Sequence, residues 1–248
     1  MNALSSDWPY PRWIAHRGAG KLAPENTLAA FVVGAAQGYR MFECDVKLSS
    51  DGVPFLLHDS SLERTTNGKG IAGEQIWAEL EKLDAGSWHS APFAREPLPT
   101  LDAIAQYCLF NHYCINIEIK PTPGTERHTG EVVAQHAQRL WQGAAVQPLL
   151  SSFDTEALQG ARATAPQLRR GLLLDTLWSG WLEAALSLEC VAVICNHKLW
   201  DSESVTQAKS AGLRTLSYTV NDEAVAQRLL ALGTDGIITD RVDFFAPQ

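Results

Sequence analysis

Ala15-His16-Arg17-Gly18 and Leu57-His58-Asp59 each place a histidine just past a short apolar run. A histidine in such a place is more often structural than catalytic. Two of them beside a carboxylate cluster, however, can serve as general base and general acid, each contributing roughly 10²- to 10⁴-fold to a proton-transfer step. The carboxylates come from two other runs. Over residues 41–48, period-two alternation puts Met41, Glu43, Asp45 and Lys47 on one face and Phe42, Cys44, Val46 and Leu48 on the other. Over 114–120, Ile115, Ile117 and Ile119 share the apolar face and leave Asn116, Glu118 and Lys120 opposite. If both polar faces turn into one interior, Glu43, Asp45 and Glu118 meet there, and like charges in a desolvated site need a cation between them. Three carboxylates, with water and a substrate oxygen completing the shell, suit a hard divalent ion. Mg²⁺ is expected ahead of Mn²⁺, Co²⁺ or Ca²⁺, and zinc is disfavoured. The competing reading is a structural ion-pair network of Glu43 and Asp45 with Lys47 and Lys120. Arg17 and Lys120 supply the local positive charge that an anionic substrate needs. His89, His112, His128, His136 and His197 have no comparable setting, although His197 also falls at the end of a run.

The elements that must position these residues follow from the spacing of apolar runs. Strand-like stretches at 13–15, 41–48, 114–120, 147–152, 170–174, 190–196, 214–220 and 236–239 each precede, at some distance, a stretch that can be helical. Helix punctuation agrees. Asn26 or Thr27 can cap residues 28–37 with Gly38 at the far end, Ser202 precedes a helix closed near Gly212, and Asn221 or Asp222 precedes one closed near Gly233. Eight such units closing on themselves predict a (β/α)8 barrel. An open doubly wound sheet would have about six strands and a Gly-x-Gly-x-x-Gly after the first, which is missing after Trp13. A further strand at 53–57 pairs with the second run across Asp51-Gly52, a strong hairpin signal. Residues 60–99, with Thr65-Thr66-Asn67-Gly68-Lys69-Gly70, Pro92, Pro97, Pro99, Trp77, Trp88 and Phe93, are too long for an ordinary connection and too aromatic for a linker. They are expected to form a small insertion on the active-site face of a single domain spanning 1–248.

Composition narrows the partners. With 46% hydrophobic and 19% charged residues, 248 residues can bury one large core. A formal charge of -8 argues against a basic nucleic-acid or membrane-surface binder, so an anionic substrate has to be met locally. The five cysteines are odd in number, form no Cys-x-x-Cys pair, and read as reduced and structural. No run approaches the ~18 apolar residues of a membrane span and residues 1–10 carry no basic region followed by an apolar one, so a cytoplasmic, soluble protein is expected, its oligomeric state open.

Taken in order, His16-Arg17-Gly18, Pro24-Glu25-Asn26-Thr27, Glu43-Cys44-Asp45-Val46, Asp51-Gly52, His58-Asp59 and Arg64-Thr65-Thr66-Asn67-Gly68 resemble segments of the glycerophosphodiester phosphodiesterase family. Pro97-Leu98-Pro99-Thr100-Leu101, Asn116-Ile117-Glu118-Ile119-Lys120, Tyr218-Thr219-Val220-Asn221 and Gly236-Ile237-Ile238-Thr239-Asp240 continue the likeness almost to the chain's end. The pattern is similar to the family's short cytosolic bacterial form. The resemblance implies His16 and His58 as the acid/base pair, Glu43, Asp45 and Glu118 as metal ligands, and Arg17 and Lys120 as phosphate contacts. It makes 60–99 the family's insertion between second strand and second helix, and puts Tyr218 and Asn221 beside the glycerol; Tyr218 stands where many relatives carry Trp. For Glu25 and Asn26, fixing the first loop and capping its helix is favoured over substrate contact.

The implied activity is metal-assisted hydrolysis of a glycerol phosphodiester to sn-glycerol 3-phosphate and an alcohol such as choline, ethanolamine or glycerol. Loose recognition of the alcohol is expected, since Arg17, Lys120 and the metal all address the phosphoryl group, and Trp77, Trp88 or Phe93 can offer only one face of a cation cage. A cyclising phospholipase-type lyase could use the same groups and stop at a cyclic phosphate. A barrel that merely binds a phosphorylated ligand fits poorly, because binding needs no second histidine.

Overall fold

A computed structural model describes residues 8–245 and 247. Each of the eight expected runs forms a strand: β1 (Trp13–Ala15), β2 (Met41–Leu48), β4 (Cys114–Ile119), β5 (Leu149–Ser152), β6 (Arg169–Leu174), β7 (Ala192–Asn196), β8 (Arg214–Tyr218) and β9 (Gly236–Thr239), with β3 (Pro54–Leu56) the extra strand of the hairpin. Parallel pairing runs β1-β9-β8-β7-β6-β5-β4-β2, and a β1–β2 pairing closes the ring, so the eight strands make a (β/α)8 barrel. Strand β3 lies antiparallel on β2 with Leu48 opposite Pro54 and Val46 opposite Leu56. Gly52 turns the hairpin at φ +85°, which costs glycine nothing.

Around the barrel lie α1 (Leu28–Ala36), α3 (Leu101–Phe110), α4 (Glu126–Leu140), α5 (Thr155–Thr164), α6 (Trp181–Ser187), α7 (Ser202–Ser210) and α8 (Glu223–Leu232), with the one-turn α2 (Trp77–Leu80) in the insertion. Of the two candidate caps for α1, Thr27 takes the position, accepting the Ala30 N–H at 3.2 Å. At α7 the cap is Asp201, paired reciprocally with Ser204, and at α8 it is Asp222. Short side chains that accept backbone N–H bonds are the common requirement, so neighbouring Asn, Asp, Ser and Thr compete and the chain's entry angle decides.

The barrel separates two apolar layers. Phe42, Cys44, Val46, Leu48, Ile115, Ile117 and Ile119 face outward and are buried against α1, α3 and α4. Inside, Ile14, Met41, Leu149, Leu173, Ile194, Leu216 and Ile238 fill the lower half as a packed floor. Polar inward residues begin above that floor, at the strands' C-terminal ends. Residues 60–99 have a small core of their own, in which Leu62, Ala72, Leu80, Ala85 and Leu98 pack on Phe55 and Leu57 of the hairpin. A short segment with that many buried apolar side chains is held by packing as well as by its turns.

Candidate active site

Strand β2 and its parallel neighbour β4 put Glu43 opposite Asn116 and Asp45 opposite Glu118. All four side chains are buried. The three carboxylates converge, each offering an oxygen within 4.8 Å of the others'. Asp45 Oδ1 and Glu118 Oε1 are buried with no hydrogen-bond partner, although the Lys120 ammonium stands 3.0 Å from Glu118 Oε1 and 4.0 Å from Asp45 Oδ1. Buried carboxylate oxygens facing one another, Asp45 Oδ1 with no hydrogen-bond partner and Glu118 Oε1 met only by the Lys120 ammonium, are the donor set that a hard divalent cation takes up, so these residues fit such an ion. Electrostatics points the same way. Burial, then the charges of Asp45 and Glu118, pushes Glu43 well above the usual carboxylate range, and burial followed by Asp45 raises Glu118. Burial would raise Asp45 also, but Arg17, His58 and Lys120 outweigh it and its net direction is down. Asn26 adds to this: its amide donates to Asp45 Oδ2 at 2.8 Å and accepts the Asp45 N–H at 3.0 Å.

Arg17 and Asn26 both sit at positive φ, +50° and +59°, the left-handed region that side chains other than glycine enter at a cost. In that conformation Arg17 N–H donates to Glu43 Oε2 at 3.0 Å while its guanidinium reaches Asp45, 3.2 Å away, and Glu25, 2.8 Å away. Gly20, also at positive φ, lets the same loop pass against Asp240; a Cβ there would lie 2.2 Å from the Asp240 carbonyl oxygen.

Each histidine leans on an aspartate. His16 Nδ1 is 2.6 Å from Asp240 Oδ1, and His58 Nδ1 is 2.7 Å from Asp59 Oδ1. Both carboxyls are held below the ordinary Asp range, Asp240 by His16 against the effect of its burial and Asp59 chiefly by Arg64. An ionised carboxylate only accepts, so each ring carries its proton on Nδ1 and presents Nε2 elsewhere. In His16 that atom is 3.8 Å from Glu43; in His58 it is 3.2 Å from Lys120 Nζ. Burial lowers the His58 pKa, the Asp45 charge opposing.

A cavity of about 170 Å³ is lined by His16, Arg17, Glu43, His58, Glu118 and Lys120, with Asn116, Phe153, Tyr218 and Thr219 in its wall and Leu173 and Ile238 beneath. A second cleft of about 430 Å³ shares His58, Glu118, Lys120 and Phe153 with it and adds Asp59, Ser60, Ser152 and Asp154. Residues 16–244 match the Glycerophosphoryl diester phosphodiesterase family.

The chain belongs to this family. A phosphodiesterase of Oleispira antarctica, solved in complex with the product sn-glycerol-3-phosphate, superposes with a TM-score of 0.89 at 36% identity, with 93% of each chain covered. The glycerophosphodiester phosphodiesterase of Caldanaerobacter subterraneus subsp. tengcongensis is 33% identical over 92% of this chain and 93% of its own. The putative glycerophosphodiester phosphodiesterase YhdW of Bacillus subtilis is 32% identical over 93% and 95%. Together with the cavity, these relations make the chain a glycerophosphodiester phosphodiesterase.

Within this phosphodiesterase, eight of the nine site residues expected from sequence sit together: seven around the smaller cavity, Asp45 just behind Arg17. Asn221 does not join them. Its amide donates to Asp240 Oδ2 at 2.7 Å and its oxygen accepts the Asp240 N–H at 2.9 Å, so it braces the partner of His16. Tyr218 lines the cavity with its ring, while its hydroxyl donates to the Leu174 carbonyl and its edge meets Phe153. Lys47 makes no ion pair with Glu43 or Asp45 and donates to the Lys120 carbonyl. The aromatic residues expected from the insertion stay away: Trp77 packs on Phe55, and Trp88 donates to the Ala85 carbonyl. Phe153, after β5, supplies the aromatic wall instead. Asp59, Asp240 and Glu25 were in motifs visible from sequence, but a carboxylate's partner across the barrel is not encoded by spacing. No helix among the described residues is long and apolar enough to cross a membrane.

Proposed function

We propose that Glu43, Asp45 and Glu118 hold one divalent cation, Mg²⁺ ahead of Mn²⁺, Co²⁺ or Ca²⁺, and that His16 and His58 are the acid/base pair of glycerophosphodiester hydrolysis. The observation that carries this is the convergence of three buried carboxylates between two histidines whose Nδ1 protons are already committed. When bound, the cation supplies a Lewis acid at the phosphoryl oxygen and neutralises charge there. Arg17 and Lys120, whose cationic forms are reinforced by the carboxylates around them, orient the phosphoryl group and share its developing charge. One imidazole Nε2 takes the proton of the attacking oxygen, and the other, protonated, delivers one to the departing alkoxide. Asp240 and Asp59 keep each ring in the tautomer this exchange needs and stabilise it when charged.

The glycerol phosphate half occupies the smaller cavity against Tyr218, and the alcohol occupies the wider cleft. Most polar groups of that cleft are committed within the protein, Lys47 donating to the Lys120 carbonyl. Asp59 is engaged by His58 and Arg64, Asp154 caps α5, and Ser152 donates to the Ile119 carbonyl. Residues 60–99, within the same single domain, touch the wider cleft only through Ser60 and reach His58 through Arg64, which holds Asp59. All five cysteines are free and four are buried, which supports a reducing, cytoplasmic setting.

Turnover of glycerophosphocholine, followed by coupled detection of sn-glycerol 3-phosphate, tests the reaction. EDTA is expected to abolish it and Mg²⁺ to restore it. Full activity after exhaustive chelation would remove the cation from the reading, and a cyclic phosphate as final product would replace hydrolysis by cyclisation.

A further inference from the structure

Arg64 lies in Arg64-Thr65-Thr66-Asn67-Gly68 of the insertion and lines neither cavity. Its guanidinium nevertheless makes four hydrogen bonds to two carboxylates. Nε donates to Asp59 Oδ2 at 2.6 Å and Nη2 to Asp59 Oδ1 at 2.9 Å, while Nη1 and Nη2 donate to Glu25 Oε2 and Oε1, each at 2.8 Å. Both edges of the planar fork are filled, a geometry that a lysine's point charge cannot reproduce. Each carboxylate has a second partner nearer the chemistry. Asp59 Oδ1 holds His58 Nδ1, and Glu25 Oε1 holds Arg17 Nη1 at 2.8 Å.

Arg64 therefore stands where two short chains meet, one ending on an imidazole and the other on a guanidinium. Its backbone is anchored: Leu62, Thr65 and Thr66 are buried, and the Thr66 N–H and hydroxyl both donate to the Leu62 carbonyl. The side chain is 43% exposed, but both edges of its guanidinium are fixed against carboxylates that are themselves only 14% and 27% exposed, so its four bonds set where those two carboxylates stand. Without the shared cation, Glu25 and Asp59 repel and each is free to leave its partner.

We propose that Arg64 is a positioning residue that fixes His58 and Arg17 relative to one another, and that the insertion acts on the reaction through it. This rests on His58 and Arg17 having the roles given under Proposed function. R64M, R64K and H58A compared on glycerophosphocholine separate the two. R64M is expected to lower kcat at least tenfold, more than it raises KM, with the melting temperature kept within about 3 °C. R64K should recover little of the loss, and R64M/D59N should lose clearly less than the product of the two single losses, since both variants act on the His58 arm. A kcat for R64M within twofold of the parent, full rescue by R64K, or additive losses in the double variant would overturn the proposal. An inactive H58A beside a normal R64M overturns Arg64's role alone, whereas a fully active H58A overturns the reading on which it rests. Should R64M fail to fold, D59N and E25Q cut one arm each. D59N is then expected to act mainly on kcat and E25Q mainly on KM, and parent-like constants in both would equally overturn it.

Discussion

His16 and His58 hold their Nδ1 protons against ionised aspartates, and this constrains what their removal does. Neither ring supports the core, so H16A and H58A are expected to fold normally and to lose kcat by about 10²- to 10⁴-fold each. Steady-state rates beside melting curves check this. The two losses should respond differently to the leaving group. With a p-nitrophenyl ester in place of the alcohol, protonation of the leaving oxygen matters less, so the variant lacking the general acid should regain much of its rate and the other should not. Equal responses would mean that the two rings do not divide the proton transfers. Asp240→Asn replaces the acceptor of the His16 proton by an amide that can present its N–H instead; a fall in kcat of up to about 10⁴-fold is expected, the scale of a catalytic histidine held in the wrong tautomer. Histidines and carboxylates were legible in the sequence because they fall at strand ends and on one face of a strand. The partner of His16 was not, since Asp240 reaches it from 224 positions away, whereas that of His58 is its neighbour Asp59. Asn221, expected at the substrate, is bonded to this pair, its amide donating to Asp240 Oδ2 and its oxygen accepting the Asp240 N–H.

Strands β2 and β4 concentrate three carboxyl groups in one buried layer, with a consequence for pH. Glu43 and Glu118 are raised in the cation-free fold, mainly by burial and then by neighbouring negative charge. A carboxyl group whose pKa is higher folded than unfolded binds more protons in the native state, so its contribution to stability falls as pH rises above the unfolded value of about 4.3. The chelated protein is therefore expected to melt at lower temperature at pH 8 than at pH 5.5. Mg²⁺ should raise the melting temperature more at pH 8, where it meets no competing protons, and its binding should release protons in calorimetry across buffers of different ionisation enthalpy. A chelated protein equally stable at both pH values would show that the cluster is not desolvated as described. These two strands were readable because strict alternation of apolar and polar residues has one solution in a barrel. Loop β1–α1 was not, because its course depends on left-handed backbone at Arg17 and Asn26 and on the close pass of Gly20. Gly20→Ala should push that loop off Asp240 and lower kcat together with stability, since the clash is with backbone that cannot swing aside.

Across the whole molecule, the eightfold order of strands and helices was legible because short apolar runs alternate with helical stretches throughout and most helices begin at a Thr or Asp cap, although α4 and α6 have no side-chain cap. Residues 60–99 were recognisable only as an interruption. Their small core of Leu62, Ala72, Leu80, Ala85 and Leu98 has no sequence period, because it is assembled from turns and single-turn helices folded over the hairpin. Since the wider cleft has few uncommitted polar groups, kcat/KM for glycerophosphocholine, glycerophosphoethanolamine and glycerophosphoglycerol should lie within roughly 10²-fold of one another. A preference above about 10⁴-fold would require dedicated polar contacts to the alcohol that these walls do not provide.

The floor of Ile14, Met41, Leu149, Leu173, Leu216 and Ile238 closes the barrel beneath the catalytic layer. There is then one way in and the same way out, which imposes an order of departure. With the two halves placed as proposed, the alcohol in the outer cleft is expected to leave first and the phosphorylated fragment, in the inner cavity among Arg17, Lys120 and the carboxylates, last, returning the enzyme to its free form. Inhibition by added sn-glycerol 3-phosphate should accordingly be competitive with substrate, and inhibition by added choline weak and noncompetitive. Competitive inhibition by choline would mean that the outer compartment can be vacated after the inner one.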